Sequence, residues 1–194
     1  KMSKITLIVQ ARMGSKRLPG KSLLDLAGKP MLEQIINRLK RCKRVDRIVL
    51  AIPNTNRDKV LHKIGMKCSV DVFCGLENNL VNRFHSAAQQ FGGDQIVRFP
   101  ADNPVPEPAE IDRLIEFHLV HNAAGFTTNI TEVNGSGHPD GIGAEIFRSE
   151  FLEQLNRRSL PKDKLEHLHL NFFDYTTGSV VDNSWCPIAV PPCP

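Results

Sequence analysis

Four cations and two glycines crowd one short stretch of this chain. QARMGSKRLPGKS runs from Gln10 to Ser22 and carries Arg12, Lys16, Arg17 and Lys21, with Gly14 and Gly20 between them. Glycines let backbone amides approach an anion closely, and the side chains add charge, so a polyphosphate is the guest this composition suits. It is not a P-loop. Five residues separate Gly14 from Gly20-Lys21 where that motif needs four, and Pro19 removes an amide the motif would use. The dinucleotide fingerprint GxGxxG is absent as well. A second feature is Asp102, in Ala101-Asp102-Asn103-Pro104, a carboxylate at the end of a predicted strand that could cap a turn before Pro104.

These residues need elements to position them. Ile5–Val9 is a continuous β-prone run, the mark of a strand covered on both faces. Pro30 opens a helix with Met31, Leu32, Ile35, Ile36 and Leu39 on one side. Further strands are expected at Arg47–Ile52, Val70–Phe73, Gln95–Phe99, Phe126–Asn129 and Ile142–Phe147. Helices are expected at 57–66, Leu80–Phe91 (stopped by Gly92-Gly93), Pro108–Val120 (stripe Ile111, Leu114, Ile115, Leu119) and Ser149–Asn156, capped by Ser149. Phe84, Phe91 and Phe117 fall on apolar helical faces and read as core. The alternation predicts an α/β fold, a mostly parallel central sheet with helices on both faces, whose ligands sit outside the carboxyl ends of the strands. The loops after Val9, Ile52, Phe73 and Phe99 are therefore the informative ones.

The 194 residues, 41% hydrophobic and 24% charged, suit one globular domain and exclude a disordered or collagen-like chain. The domain spans 1–185, with regular alternation over 1–129 and a broken pattern over 130–185, and a proline-rich extended tail follows over 186–194. Twenty-five basic against 21 acidic residues give a net charge of +4, too mild to imply nucleic-acid binding. Arg38, Lys40, Arg41, Lys43, Arg44 and Arg47 cluster at a predicted helix end and read as a solvated face. Five scattered cysteines without a CxxC pair signal neither zinc nor a disulfide framework. Apolar runs fall far short of the ~20 residues a membrane span needs. With no signal-peptide pattern at the start, a cytoplasmic protein is expected.

IVQARMGSKRLPGKSLLDLAGKPMLEQIINRL resembles the opening of the cytidylyltransferases that activate acidic sugars. The likeness is nearest to the spore coat polysaccharide biosynthesis protein F branch and more distant to CMP-KDO synthetase. It continues through VLAIPN, VFCG, NRF, RFPADNPVPEP, HPDGIGAEIF and EHL, covering residues 4 to about 185. The resemblance implies a Rossmann-like, glycosyltransferase-A-like nucleotidyltransferase fold and transfer of CMP from CTP to a sugar acid with release of pyrophosphate. It implies Mg²⁺ on Asp102, and Arg12, Lys21 and Asp102 as the catalytic residues. For nucleotide binding it implies Gln10, Ala11, Arg12, Gly14, Ser15, Lys16, Arg17, Lys21, Ala51, Asn54, Gly75 and Arg83, and for the acceptor sugar Arg98, His138, Asp140, Glu145 and His167. Arg98 could instead form a structural salt bridge, and the two histidines could be structural. The resemblance makes 1–129 the nucleotide-binding part and 130–185 the acceptor and dimerisation part, and it implies a homodimer, with CTP and an acidic sugar as partners and no membrane or nucleic acid.

Three departures stand out. Gly143 replaces an acidic residue of the pattern PDGxDxE, Cys74 replaces an arginine in VFRG, and a T-V-D-x-x-x-D-L segment of relatives lies beyond Pro194. Two readings therefore stand: a working Mg²⁺-dependent cytidylyltransferase, or a nucleotide-binding homologue with impaired catalysis that serves as a subunit or regulator. A P-loop NTPase and a metal-independent glycosyltransferase are more remote.

Overall fold

ITLIVQ forms β1, Ile5–Gln10, with every residue but the last buried, because helices cover both of its faces. The computed structural model describes residues 3–15, 17–121, 124–129, 139, 141–174, 177, 179–180 and 186–193. After the first loop come a short ribbon, β2 (Asp25–Leu26) with β3 (Lys29–Pro30), and α1, Met31–Leu39. Then follow β4 (Arg47–Pro53), a 3₁₀ turn at Asn56–Asp58, α2 (Lys59–Lys67), β5 (Asp71–Gly75), α3 (Leu80–Phe91), β6 (Gln95–Pro100) and α4 (Pro108–Val120). The chain continues as β7 (Phe126–Thr128), β8 (Glu145–Arg148), α5 (Ser149–Asn156), α6 (Lys162–Glu166), the small pair β9 (Phe173–Asp174) and β10 (Ser179–Val180), and β11 (Ile188–Ala189).

Seven strands make the main sheet in the order β11-β7-β8-β6-β1-β4-β5. β4 and β6 flank β1 in parallel and β5 extends β4 in parallel, whereas β8 runs antiparallel to both β6 and β7. Alternate residues of β1 serve two cores. Leu7 and Val9 pack with α1, α2 and α4 through Leu32, Ile35, Leu61 and Ile111, while Ile8 packs with α3 and α5 through Phe84, Ala87 and Leu152. A stacked ring pair, Phe126 and Phe172 at 4.2 Å, with Phe147 tilted against both, anchors the second core.

The α/β architecture expected from the pattern is the one observed, with local corrections. Ser149 is the first residue of α5 and Arg148 its cap, with no side-chain capping bond. On α4 the inward row is Ile111, Leu114, Ile115 and His118, and Leu119 faces outward. Thr127 and Gln95 give the buried His118 two hydrogen-bond partners, at 2.7 and 3.0 Å, so a polar residue occupies the inward position. Phe84 is core and Phe91 packs against it, but Phe117 is only half-buried and stacks on His121. The proline-rich segment is not a free tail: Ile188 and Ala189 pair with Phe126 and Thr127, and Cys186 is fully buried. Its prolines remove backbone donors, which an edge strand tolerates and a central one does not. The basic cluster near α1 is laced to acids, Arg38 to Glu107, Arg44 to Glu116 and Arg47 to Asp71.

Candidate active site

The strand order grows outward from β1 through β4 to β5, then returns to the other side of β1 with β6. That reversal leaves a crevice at the carboxyl ends of β1 and β6, where open α/β sheets bind ligands. A cavity of about 920 Å³ lies there. Its walls bring together Gln10, Ala11, Arg12, Ser15, Arg17 and Lys21 from the first loop, Asp102 after β6, and Arg98, Glu145 and His167 from the acceptor side of the sequence reading. Lys16, His138 and Asp140 lie outside the described residues.

The loop has a defined conformation. Gly20 adopts φ 72°, a left-handed geometry glycine accepts freely, and its N–H returns to the Met13 carbonyl at 3.1 Å. The Met13 N–H donates to Asp58 Oδ1 at 2.8 Å. At Gly14 the Arg57 guanidinium stands 2.7 Å from where a Cβ would be, so only glycine lets it lie against the backbone. Arg57 in turn pairs with Glu77. Asp58 and Arg57 escaped the sequence reading, although NTNRD reads as a turn opening a helix and could have drawn attention to the aspartate.

At the mouth, Lys21 Nζ lies 2.8 Å from Asp102 Oδ2, with the two side chains 24% and 47% exposed. The turn after β6 is closed by backbone atoms, Asn103 N–H to the Pro100 carbonyl at 3.2 Å, which leaves the Asp102 side chain for Lys21 and the cavity. Partial burial raises the Asp102 pKa, but the Lys21 hydrogen bond and charge outweigh it and hold the carboxyl below its ordinary value. Asp102 is therefore anionic near neutral pH.

The cavity floor is a buried polar cluster. Arg98 donates from Nε to Gln10 Oε1 at 3.0 Å and from Nη1 to Glu145 Oε2 at 2.7 Å. The two strands are in register here, Arg98 opposite Glu145, and the side chains are 6% and 1% exposed. His169, which nothing in the sequence singled out, brings Nδ1 to 3.3 Å from Arg98 Nη1. Burial and then the Arg98 charge push the His169 pKa down to about 2, so its ring is neutral and Nδ1 accepts from Arg98. Of the alternatives for Arg98, the salt bridge is present. Its Nη2 has no partner among the described residues.

Five expected nucleotide contacts do not line this cavity. Gly14 faces Arg57, and Ala51 is buried in β4 between Gln10 and Phe73. Asn54 donates its N–H to the Gly75 carbonyl at 2.8 Å, and Gly75 packs against Phe73 and Arg83. Arg83 is 2% exposed and donates to the carbonyls of Leu76 and Glu77, so it is a cation beneath the loop and not a surface contact. Burial, and then repulsion from Arg12, lower its pKa to about 10. Gly143 has a structural reason: a Cβ there would stand 2.7 Å from the Asn129 carbonyl oxygen. Asn129 is itself tied to Glu110 and to the Ala144 N–H, both at 2.8 Å.

Among the described residues no three His, Cys, Asp or Glu side chains come together to hold a metal. One carboxylate, Asp102, suits a Mg²⁺ that takes its remaining ligands from phosphates and water. No described helix is long and apolar enough to cross a membrane.

The sequence pattern of the family described as Cytidylyltransferase matches residues 6–167. An uncharacterised protein of Methanocaldococcus jannaschii is 33% identical over 85% of this chain and 65% of its own length. The spore coat polysaccharide biosynthesis protein SpsF of Bacillus subtilis is 29% identical over 87% of this chain and 70% of its own. The 3-deoxy-manno-octulosonate cytidylyltransferase of Geobacter sulfurreducens is 35% identical over 57% and 44%. The chain thus spans less than two thirds of the first and last of these relatives. A cytidylyltransferase structure from Leptospira borgpetersenii superposes with a TM-score of 0.86 at 27% identity, covering 99% of this chain and 77% of that one.

Proposed function

The chain belongs to the cytidylyltransferase family, and from that premise we propose that it transfers CMP from CTP to an acidic sugar, releasing pyrophosphate, with Mg²⁺ at Asp102. The observation that carries the reading is one cavity whose lining brings together Arg12, Arg17 and Lys21 from the first loop, Asp102 after β6, and Arg98, Glu145 and His167. Phosphates belong against the loop cations. There the loop cations neutralise charge that builds on the leaving pyrophosphate while the acceptor hydroxyl attacks the α-phosphorus in line. Mg²⁺ held by Asp102 would neutralise further phosphate charge. The Lys21–Asp102 pair is part-exposed and worth about 0–1 kcal/mol, so Lys21 can leave the carboxylate for a phosphate at little cost.

The Arg98 cluster at the cavity floor suits an anionic acceptor, since Arg98 Nη2 is unclaimed among the described residues. Two relatives bear names that point to spore coat polysaccharide and to 3-deoxy-manno-octulosonate, which supports a sugar acid as the acceptor class. Gly143, where the resemblance implies an acid, favours a second reading: nucleotide binding without transfer. A homodimer and a cytoplasmic location remain part of the proposal.

Calorimetric titration of CTP, UTP, ATP and GTP, with and without Mg²⁺, into wild type and Asp102→Asn tests it. CTP should bind selectively and more tightly with Mg²⁺, and the mutant should lose the Mg²⁺-dependent part. Pyrophosphate release across a panel of sugar acids then separates enzyme from binder. Absence of nucleotide binding in the wild type would refute both readings.

A further inference from the structure

We propose that Asp58 is the positioning residue of the phosphate-binding loop, an inference that rests on the nucleotide reading above. Asp58 ends the 3₁₀ turn after β4 and is completely buried. Buried carboxylates are costly unless fully engaged. This one reaches across 45 residues of sequence to take the Met13 N–H on Oδ1, while Oδ2 takes the Thr55 hydroxyl and lies 3.7 Å from Arg57 Nε. The Met13 amide is central to the loop. Arg12 precedes it, Gly14 follows it, and the Met13 carbonyl closes the turn with Gly20 N–H. One carboxylate therefore fixes the backbone between the first phosphate-facing cation and the glycine over which Arg57 lies.

The charge matters as well as the hydrogen bond. Arg12 and the buried Arg83 are close enough to repel, and Asp58 attracts Arg83. The Asp58 charge thus offsets part of the repulsion that Arg12 and the buried Arg83 exert on each other. Charge-assisted bonds to backbone N–H groups are about twice as strong as neutral ones. Asp58 touches no substrate in this scheme. It acts through the loop.

The test compares CTP, CMP and inorganic tripolyphosphate, titrated into wild type, Asp58→Asn and Thr55→Val, each also melted thermally. The expected result for Asp58→Asn is a loss of roughly 10- to 100-fold in affinity for CTP and tripolyphosphate. CMP, which presents one phosphate, should change less than about 2-fold. Equal affinities in mutant and wild type, or parallel losses for CTP and CMP, would overturn the assignment, the latter because a merely structural defect weakens both alike. If Asp58→Asn does not fold, Thr55→Val, which removes the hydroxyl bond that aims the carboxylate at Met13, decides by the same comparison: a greater loss for CTP and tripolyphosphate than for CMP supports the assignment, and no loss or a parallel loss overturns it. Wild type that binds tripolyphosphate but not CTP would remove the nucleotide reading and leave the loop comparison in force. Wild type that binds neither overturns both.

Discussion

Glu145→Ala is the substitution whose consequences the geometry fixes most tightly. It removes the carboxylate 2.7 Å from Arg98 Nη1 and leaves a guanidinium that is 6% exposed at the cavity floor. Breaking a buried pair by deleting one partner costs about 3–5 kcal/mol, because the remaining charge has lost both its counter-ion and its water. For a chain of 194 residues, each kcal/mol moves Tm by about 2–4 °C, so the expected drop is about 6–20 °C. Gln10 Oε1 and His169 Nδ1 still accept from Arg98, which places the result nearer the lower end. Glu145→Gln keeps an acceptor but no charge and should cost about half as much. The paired change Arg98→Met with Glu145→Leu removes both ions and should recover most of the stability. Thermal unfolding of all four proteins is the assay. A Tm drop of less than about 2 °C for Glu145→Ala would mean that water reaches Arg98, and the argument from burial would fall.

Acid sensitivity should follow from buried histidines. His118, held by Gln95 and Thr127, has a pKa lowered by burial to about 4, and that of His169 is lower still. The unfolded chain takes up these protons near 6.5 and the folded one does not, so stability is complete above about pH 6.5 and is lost as pH falls, at up to ~1.4 kcal/mol per unit for each ring. In melts across pH 4–7, His118→Gln should flatten the slope by about one ring's share, and an unchanged slope would contradict the burial. Gly143→Ala forces a Cβ to 2.7 Å from the Asn129 carbonyl oxygen and 2.8 Å from its Oδ1. It should cost about 1–3 kcal/mol in chemical denaturation, and a neutral result would show that the segment yields easily.

The nucleotide half of the site could be read from the chain because it is local. Gln10–Lys21 and Ala101–Asp102 each follow a strand directly, so the period of the apolar residues places them at one end of the sheet. The floor could not be read that way. Arg98 meets Glu145 only because β8 enters antiparallel between β6 and β7, a register that depends on residues 47 positions apart. His169 arrives from a 3₁₀ turn with no periodic signal. Asp58 illustrates the same limit: its sequence surroundings announce a turn, while its partner, the Met13 amide, is a backbone group that no residue type announces. Cys186 and Ile188 were hidden by their prolines, which argue against a helix or a central strand but say nothing about an edge.

Two ion pairs of nearly equal length face the same cavity, and burial assigns them opposite work. Lys21–Asp102 at 2.8 Å is half in water, so its attraction is largely screened and either member can be drawn to a ligand for about 0–1 kcal/mol. Arg98–Glu145 at 2.7 Å is buried, its side chains 6% and 1% exposed, and separating it costs several times more. A ligand can therefore recruit the first pair as reagents but must accept the second as a frame, adding its own anion only at Arg98 Nη2, which has no partner among the described residues. Substitutions at Lys21 or Asp102 should consequently shift ligand affinity with little change in Tm, and those at Arg98 or Glu145 should shift both. Measuring Tm beside affinity for the four single mutants distinguishes the classes, and a Tm loss at Asp102 as large as that at Glu145 would erase the distinction.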